Sequence, residues 1–182
     1  MKKGFTIAEV ALVIAIGGLI FLMAMLALPG LRASQRDAER REDVMFLVGK
    51  IKDYQSNNRG ALPSTNLEDG GELIEFGGGN SGWSDFYNSY LGENFTDPNG
   101  ENYKLRVVTC NVGGTRVPDV ECSTTKTGEV ANVADKNFPN NYTITVVIGA
   151  TCKNEQAVAS ANSRKVAVMY RLEGSGSYCE ND

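Results

Sequence analysis

Histidine is absent from the 182-residue chain, which removes the commonest general base and the commonest zinc ligand. Tryptophan occurs once, at Trp83. Positive charge is scarce as well: 18 Lys and Arg against 22 Asp and Glu give a formal net charge of −4. With no concentrated basic run, broad affinity for nucleic-acid phosphates is not supported and no specific nucleic-acid partner is evident. No Ser, Cys or paired-carboxylate constellation stands out, so an enzyme is not expected and no cofactor is implied. Cysteine is limited to Cys110, Cys122, Cys152 and Cys179, none at metal-ligand spacing.

What the sequence does contain is one long hydrophobic run. Between Phe5 and Leu28 only Glu9 is charged, and about 20 apolar residues at 1.5 Å per residue cross a bilayer. The run meets Pro29-Gly30 and then a charged stretch, with no small-residue cleavage site, so cleavage after the span is not expected. Lys2 and Lys3 precede the run and place the N-terminus in the cytoplasm and the rest outside. The arginines at 32, 36, 40 and 41 oppose that orientation, although interleaved acids leave the region nearly neutral. All four cysteines then lie outside, where an even count suits two disulfides. Four cysteines allow three pairings; closeness across the loop NVGGTRVPDVE favours Cys110 with Cys122, which leaves Cys152 with Cys179 to tie back the tail.

Past the span, Val44, Leu47, Val48, Ile51 and Tyr54 or Gln55 recur at helical spacing and mark one apolar face. Arg36 with Glu39, Asp37 with Arg41, and Arg40 with Asp43 are opposite charges three or four apart, which reads as a solvated helical face. One helix is predicted from Phe5 to about Ser56, on the order of 75 Å long, with Gly17, Gly18, Pro29 and Gly30 able to bend it. Residues 5–31 form its membrane half and 32–58 its amphipathic half. Residues 59–102 read as a glycine-rich loop, with a short helix near Ser84 to Leu91 whose aromatics Trp83, Phe86, Tyr87 and Tyr90 read as core rather than as an adhesive surface. The stretches 103–110, 142–152 and 164–173 carry β-branched residues with partial alternation. Residues 103–182 are thus expected to form an antiparallel sheet with two disulfides and a C-terminal tail, and the class is α+β, a long N-terminal helix packed on that sheet.

The start of the chain, Lys2-Lys3-Gly4 followed by FTIAEV and the apolar run, resembles the signal of type IV prepilins and their pseudopilin relatives. The resemblance covers about the first thirty residues. It implies that residues 1–4 are a leader, cut between Gly4 and Phe5 by a prepilin peptidase, and that the new Phe5 amine is methylated. Loss of Lys2 and Lys3 would take the formal charge from −4 to −6. It further implies the type IV pilin fold and a structural subunit of a helical homopolymer. That polymer is a surface filament for adhesion, motility or DNA uptake, built by the pilus assembly machinery of the cytoplasmic membrane. Before assembly the subunit is a single-pass protein of that membrane; afterwards it is extracellular. Physics gives Glu9 a purpose here, since an ionisable group within a span costs about 2.5–3.5 kcal/mol and needs a partner. The Phe5 amine of a neighbouring subunit is the nearest cation. Gly18 matches a glycine at which pilin helices partly melt toward a proline, although Pro29 stands later than the proline of many pilins.

Asp97-Pro98-Asn99-Gly100-Glu101-Asn102-Tyr103 resembles a turn of the major pseudopilins in which nearby oxygens bind calcium, making Asp97, Asn99 and Glu101 a weak calcium candidate; proline followed by Asn-Gly makes such a turn by itself. The competing readings are a pseudopilin of a secretion fibre and an anchored extracellular binding protein that never polymerises. The latter has no use for Glu9. The sequons Asn94-Phe95-Thr96 and Asn141-Tyr142-Thr143 read as chance occurrences.

Overall fold

The computed structural model describes residues 4–64, 72–79, 81–110, 142–153, 155–174 and 176–182. The first element is one unbroken helix, α1, Ile7–Asn57, with Pro29 inside it. Its backbone stays helical through Gly18, Pro29 and Gly30, so the bend allowed by those residues leaves no interruption in the single chain. The chain divides into two compact units, Met1–Arg36 and Asp37–Asp182.

From Ile7 to Leu31 the helix is exposed on all sides and, Glu9 apart, carries no charged residue. Ile7 is 91% exposed and Leu26 76%. This is the one helix among the described residues long and apolar enough to cross a membrane, and a uniformly apolar exposed helix suits hydrocarbon rather than water.

The second unit is α+β. Its part of α1 buries Val44, Leu47, Val48 and Ile51, the face that the sequence periodicity marks. Then come β1 (Glu72–Ile74), a short helix α2 (Gly82–Phe86) running into a π-helical turn (Tyr87–Leu91), β2 (Lys104–Thr109), β3 (Thr143–Ile148), β4 (Ala150–Lys153), β5 (Gln156–Ala159), β6 (Val166–Arg171) and β7 (Ser177–Asn181). Five strands form one sheet in the order β1-β2-β3-β6-β7, and β4 with β5 forms a separate hairpin.

The sheet is mixed, which corrects the antiparallel expectation. β2 and β3 run parallel, from Lys104 opposite Thr143 to Thr109 opposite Ile148, while the other neighbours are antiparallel. Parallel neighbours need a crossover of a dozen residues or more, and the segment 110–142 between them is long enough to supply one. A direct meander would require a tight turn there.

Side-chain alternation divides the sheet into two apolar layers. Leu105, Val107, Ile144, Val146, Val166, Val168 and Tyr170 join the α1 residues and the aromatics Trp83, Phe86 and Tyr87 in the main core. Val108, Val147, Ala167 and Met169 point the other way and pack with Ala150 and Ala157 of the hairpin. The predicted strand 142–152 breaks at Gly149 because a Cβ there would lie 2.9 Å from the Cys110 carbonyl oxygen, and its φ is +77°. Only glycine tolerates both, and the chain turns there from sheet to hairpin.

The tail folds back as β7, which places Cys179 opposite Met169. Cys152 on β4 is disulfide-bonded to Cys179, tying the hairpin to that strand. The Cys110–Cys122 pairing involves Cys122, which lies outside the described residues.

Candidate functional site

Two constellations stand out, one in each unit. In the first, Gly4, Phe5 and Thr6 precede the helix in non-helical, exposed backbone, and Phe5 is 88% exposed. A bond so placed can enter a protease cleft that requires extended chain. Glu9 does not stand alone among apolar neighbours. Its Oε2 accepts from the Thr6 backbone N–H at 2.8 Å and from the Thr6 hydroxyl at 2.9 Å, while Thr6 Oγ1 accepts from the Glu9 N–H at 3.3 Å. This is a capping box, Thr6 at the N-cap and Glu9 three residues on, satisfying donors that the helix start leaves open. The Thr-x-x-Glu spacing was the available signal for Thr6. The Phe5 nitrogen is an uncharged peptide amide, and the Glu9 carboxylate bonds to Thr6. Beside Gly17, Gly18 and Gly30 a Cβ would meet nothing within 4 Å.

The second constellation is a buried ionic hub. The side chain of Arg40 is 1% exposed and that of Asp97 0%. The Arg40 guanidinium grips Asp97 with two bonds, Nε to Oδ2 at 2.7 Å and Nη2 to Oδ1 at 3.0 Å. Its Nη1 reaches Asp37 at 3.2 Å and Glu173 at 2.6 Å. The Tyr170 hydroxyl donates to Asp97 Oδ2 at 3.1 Å, and the guanidinium lies 5.7 Å from the Tyr170 ring centre. Asp37 also accepts from the backbone N–H groups of Glu173 at 2.9 Å and Gly174 at 3.0 Å. One cation thus joins helix α1, the 97–100 turn and the turn between β6 and β7. The solvated face expected around Asp37 and Arg40 is corrected here. Spacing of three to four along a helix fits an exposed pair and a buried hub equally well, and the hub's other acids come from distant sequence.

The charges are settled by their surroundings. Burial opposes the charged form of Arg40, yet the hydrogen bonds to Asp97 and Glu173 more than offset it and hold the guanidinium protonated. Burial pushes the Asp43 carboxyl up, against the Tyr103 hydroxyl that donates to it at 2.8 Å, and the charges of Asp97, Glu39 and Glu42 add to the rise. Burial raises Tyr103 and Tyr170 well above the ordinary phenol range, and Tyr87 to about 12. The Tyr87 hydroxyl donates to the Tyr103 carbonyl at 2.7 Å.

The calcium candidate residues are not gathered on one open side. Asp97 is buried with both carboxylate oxygens committed to Arg40, and its Oδ1 also accepts from the Asn99 N–H at 3.0 Å. Asn99 and Glu101 face solvent. The buried aspartate does make the turn: its backbone exchanges bonds with Gly100 and Glu101 at 2.7 and 2.8 Å. Among the described residues no group of three or more His, Cys, Asp or Glu is arranged to hold a metal ion. Of the sequons, Asn94 is exposed beside a buried Phe95, and Asn141 lies outside the described residues.

The first constellation offers an accessible peptide bond and a carboxylate with a replaceable partner; the second offers rigidity. Comparisons with protein-family models, with curated proteins and with solved structures find no match to this chain.

Proposed function

We propose that the chain is a structural subunit of a type IV pilus, cut between Gly4 and Phe5 and polymerised into a helical surface filament. The observation that carries this reading is the arrangement Lys2-Lys3-Gly4 and Phe5 ahead of an apolar helix that has Glu9 in its first turn, with the Gly4–Phe5 bond in exposed backbone just before that helix. Cleavage turns the Phe5 amide into an amine and so creates a cation. The Glu9 carboxylate of an incoming subunit exchanges its Thr6 bonds for the Phe5 amine of a subunit already in place. In lipid that exchange is favoured, because it replaces neutral donors by a charged one. The apolar helices then pack in the filament interior, and a head-to-tail contact that does not close repeats without limit.

The alternative of a secretion-fibre pseudopilin rests mainly on the Asp97 to Tyr103 turn, whose backbone bonds are formed here. The deciding experiment is the intact mass and N-terminal sequence of the protein in material sheared from the cell surface. A chain beginning at methylated Phe5 in filaments supports the proposal, as does accumulation of uncut precursor in a Gly4→Ala variant. A chain beginning at Met1 and confined to the membrane fraction overturns it in favour of an anchored binding protein.

A further inference from the structure

A shallow hollow of about 360 Å³, open to solvent, lies in the second unit where α1 ends, lined by Gln55, the exposed Ser56, Asn162 and Arg164, and Gly60, and bounded by Lys165 and Asp182. Its polar groups are unequally engaged. The Lys165 ammonium donates to the Asp182 backbone oxygen at 2.9 Å and lies 3.5 Å from the Asp182 carboxylate. The Arg164 guanidinium has no acid or hydrogen-bond acceptor among the described residues, although its backbone is held on both sides. The Gln55 Nε2 donates to the Arg164 carbonyl and the Arg164 N–H donates to Asn162 Oδ1, each at 3.0 Å. Those two bonds fix the amides and leave the Gln55 Oε1 as an acceptor and the Asn162 Nδ2 as a donor, with the Ser56 hydroxyl able to do either. The guanidinium lies so close over the turn that a Cβ on Gly60, whose φ is +78°, would stand 3.3 Å from its Nη1. Glycine at that position keeps room for it.

One uncommitted planar cation beside fixed donors and acceptors is the equipment for a ligand carrying both a carboxylate and hydroxyls. The guanidinium fork matches a carboxylate with two parallel bonds. An amide oxygen, an amide nitrogen and a hydroxyl match ring hydroxyls, which both donate and accept. The hollow, being open to solvent, leaves one face of a single sugar ring exposed. We infer that this hollow is a binding site for an acidic monosaccharide unit of the uronic acid class, with Arg164 taking the carboxylate and Gln55, Ser56 and Asn162 taking hydroxyls. The inference stands whether or not the chain polymerises.

The test is a titration of the detergent-solubilised full chain with galacturonate, methyl galactoside and inorganic phosphate, followed through the side-chain amide NMR signals of Gln55 and Asn162. Saturable shifts with galacturonate, weakened about tenfold or more by Arg164→Gln, are the expected result, since a hydrogen-bonded charge contributes on this scale. A neutral galactoside that binds as well as galacturonate overturns the role of Arg164. Phosphate that binds as tightly overturns the role of the hydroxyls. Absence of saturable shifts with all three overturns the site, as does an Arg164→Gln variant that lowers the melting temperature but leaves galacturonate binding intact; Arg164 then only complements the negative end of α1.

Discussion

Replacing Arg40 by methionine keeps an unbranched apolar stem and removes the guanidinium with its charge, leaving Asp37, Asp97 and Glu173 facing one another without their shared cation. Asp97 suffers most, because its side chain has no exposed surface and water cannot substitute for the two lost bonds. Removing one partner of a buried pair costs about 3–5 kcal/mol, which for a domain of this size lowers the melting temperature by roughly 6–20 °C. Thermal unfolding of the second unit in the full chain, read by near-ultraviolet circular dichroism of its tyrosines, measures this. Acid provides an internal check. In the variant, burial and like charge raise the carboxyl pKa of the stranded acids. An acid with a raised folded-state pKa is more stable protonated, so the deficit against the parent should shrink from pH 7 toward pH 4. Adding Asp97→Asn to Arg40→Met should likewise recover about 1–3 kcal/mol. A variant within about 1 kcal/mol of the parent at pH 7, or a deficit that does not change with pH, would refute the argument that the hub bears on stability.

Glu9→Gln separates the two roles of that residue: glutamine completes a capping box but carries no charge, so filaments should fail to form while α1 keeps its helicity, and normal filaments would sink the pairing with Phe5. Raised phenol pKa values mean that the folded state binds protons the unfolded state has released. Stability contributed by Tyr87, at about 12, and by Tyr103 and Tyr170 is therefore complete below about pH 10 and lost as pH climbs past it. Tyrosinate absorbance should rise together with unfolding, and smooth titration of all seven tyrosines near pH 10 in a folded protein would contradict this. Replacing both Cys152 and Cys179 by serine opens a loop with a sequence separation of 27, worth about 3.5 kcal/mol by chain entropy. Urea unfolding reads the difference, and a midpoint equal to the parent's would remove the bridge from the account of stability.

Legibility in the sequence followed the range of the interactions. Helix α1 was readable because a lipid-length apolar run and the Val44, Leu47, Val48, Ile51 face are local patterns. So were the cores of β2, β3 and β6, whose alternating branched residues span six positions each. The parallel pairing of β2 with β3 was not, since strand direction depends on the course of the chain between them rather than on their composition. The short strands β1, β5 and β7 carry too few apolar residues to mark themselves, and β7 is mostly polar. The Thr6–Glu9 box is written in the Thr-x-x-Glu spacing, but the same Glu9 is also the one charge in the apolar run, and the two readings of it compete in the sequence. The Arg40 hub could not be foreseen, because Asp97 and Glu173 become its partners only through the fold.

That separation sets a clock. Asp37 and the Gly174 N–H that it holds lie 137 residues apart, and at the usual pace of synthesis the later partner emerges about 7–27 s after the earlier one. Until Glu173 and Gly174 emerge, Arg40 can close only on Asp37 and Asp97, and the turn between β6 and β7 cannot be locked to the helix. Completion of the hub therefore reports that the chain has been made through Gly174, past the end of β6. A chain stopped before Glu173 would keep helix α1 and the strands β1 to β6, yet would leave an open charged seam, with Asp37 lacking the two backbone donors that hold it and Arg40 lacking one of its acids.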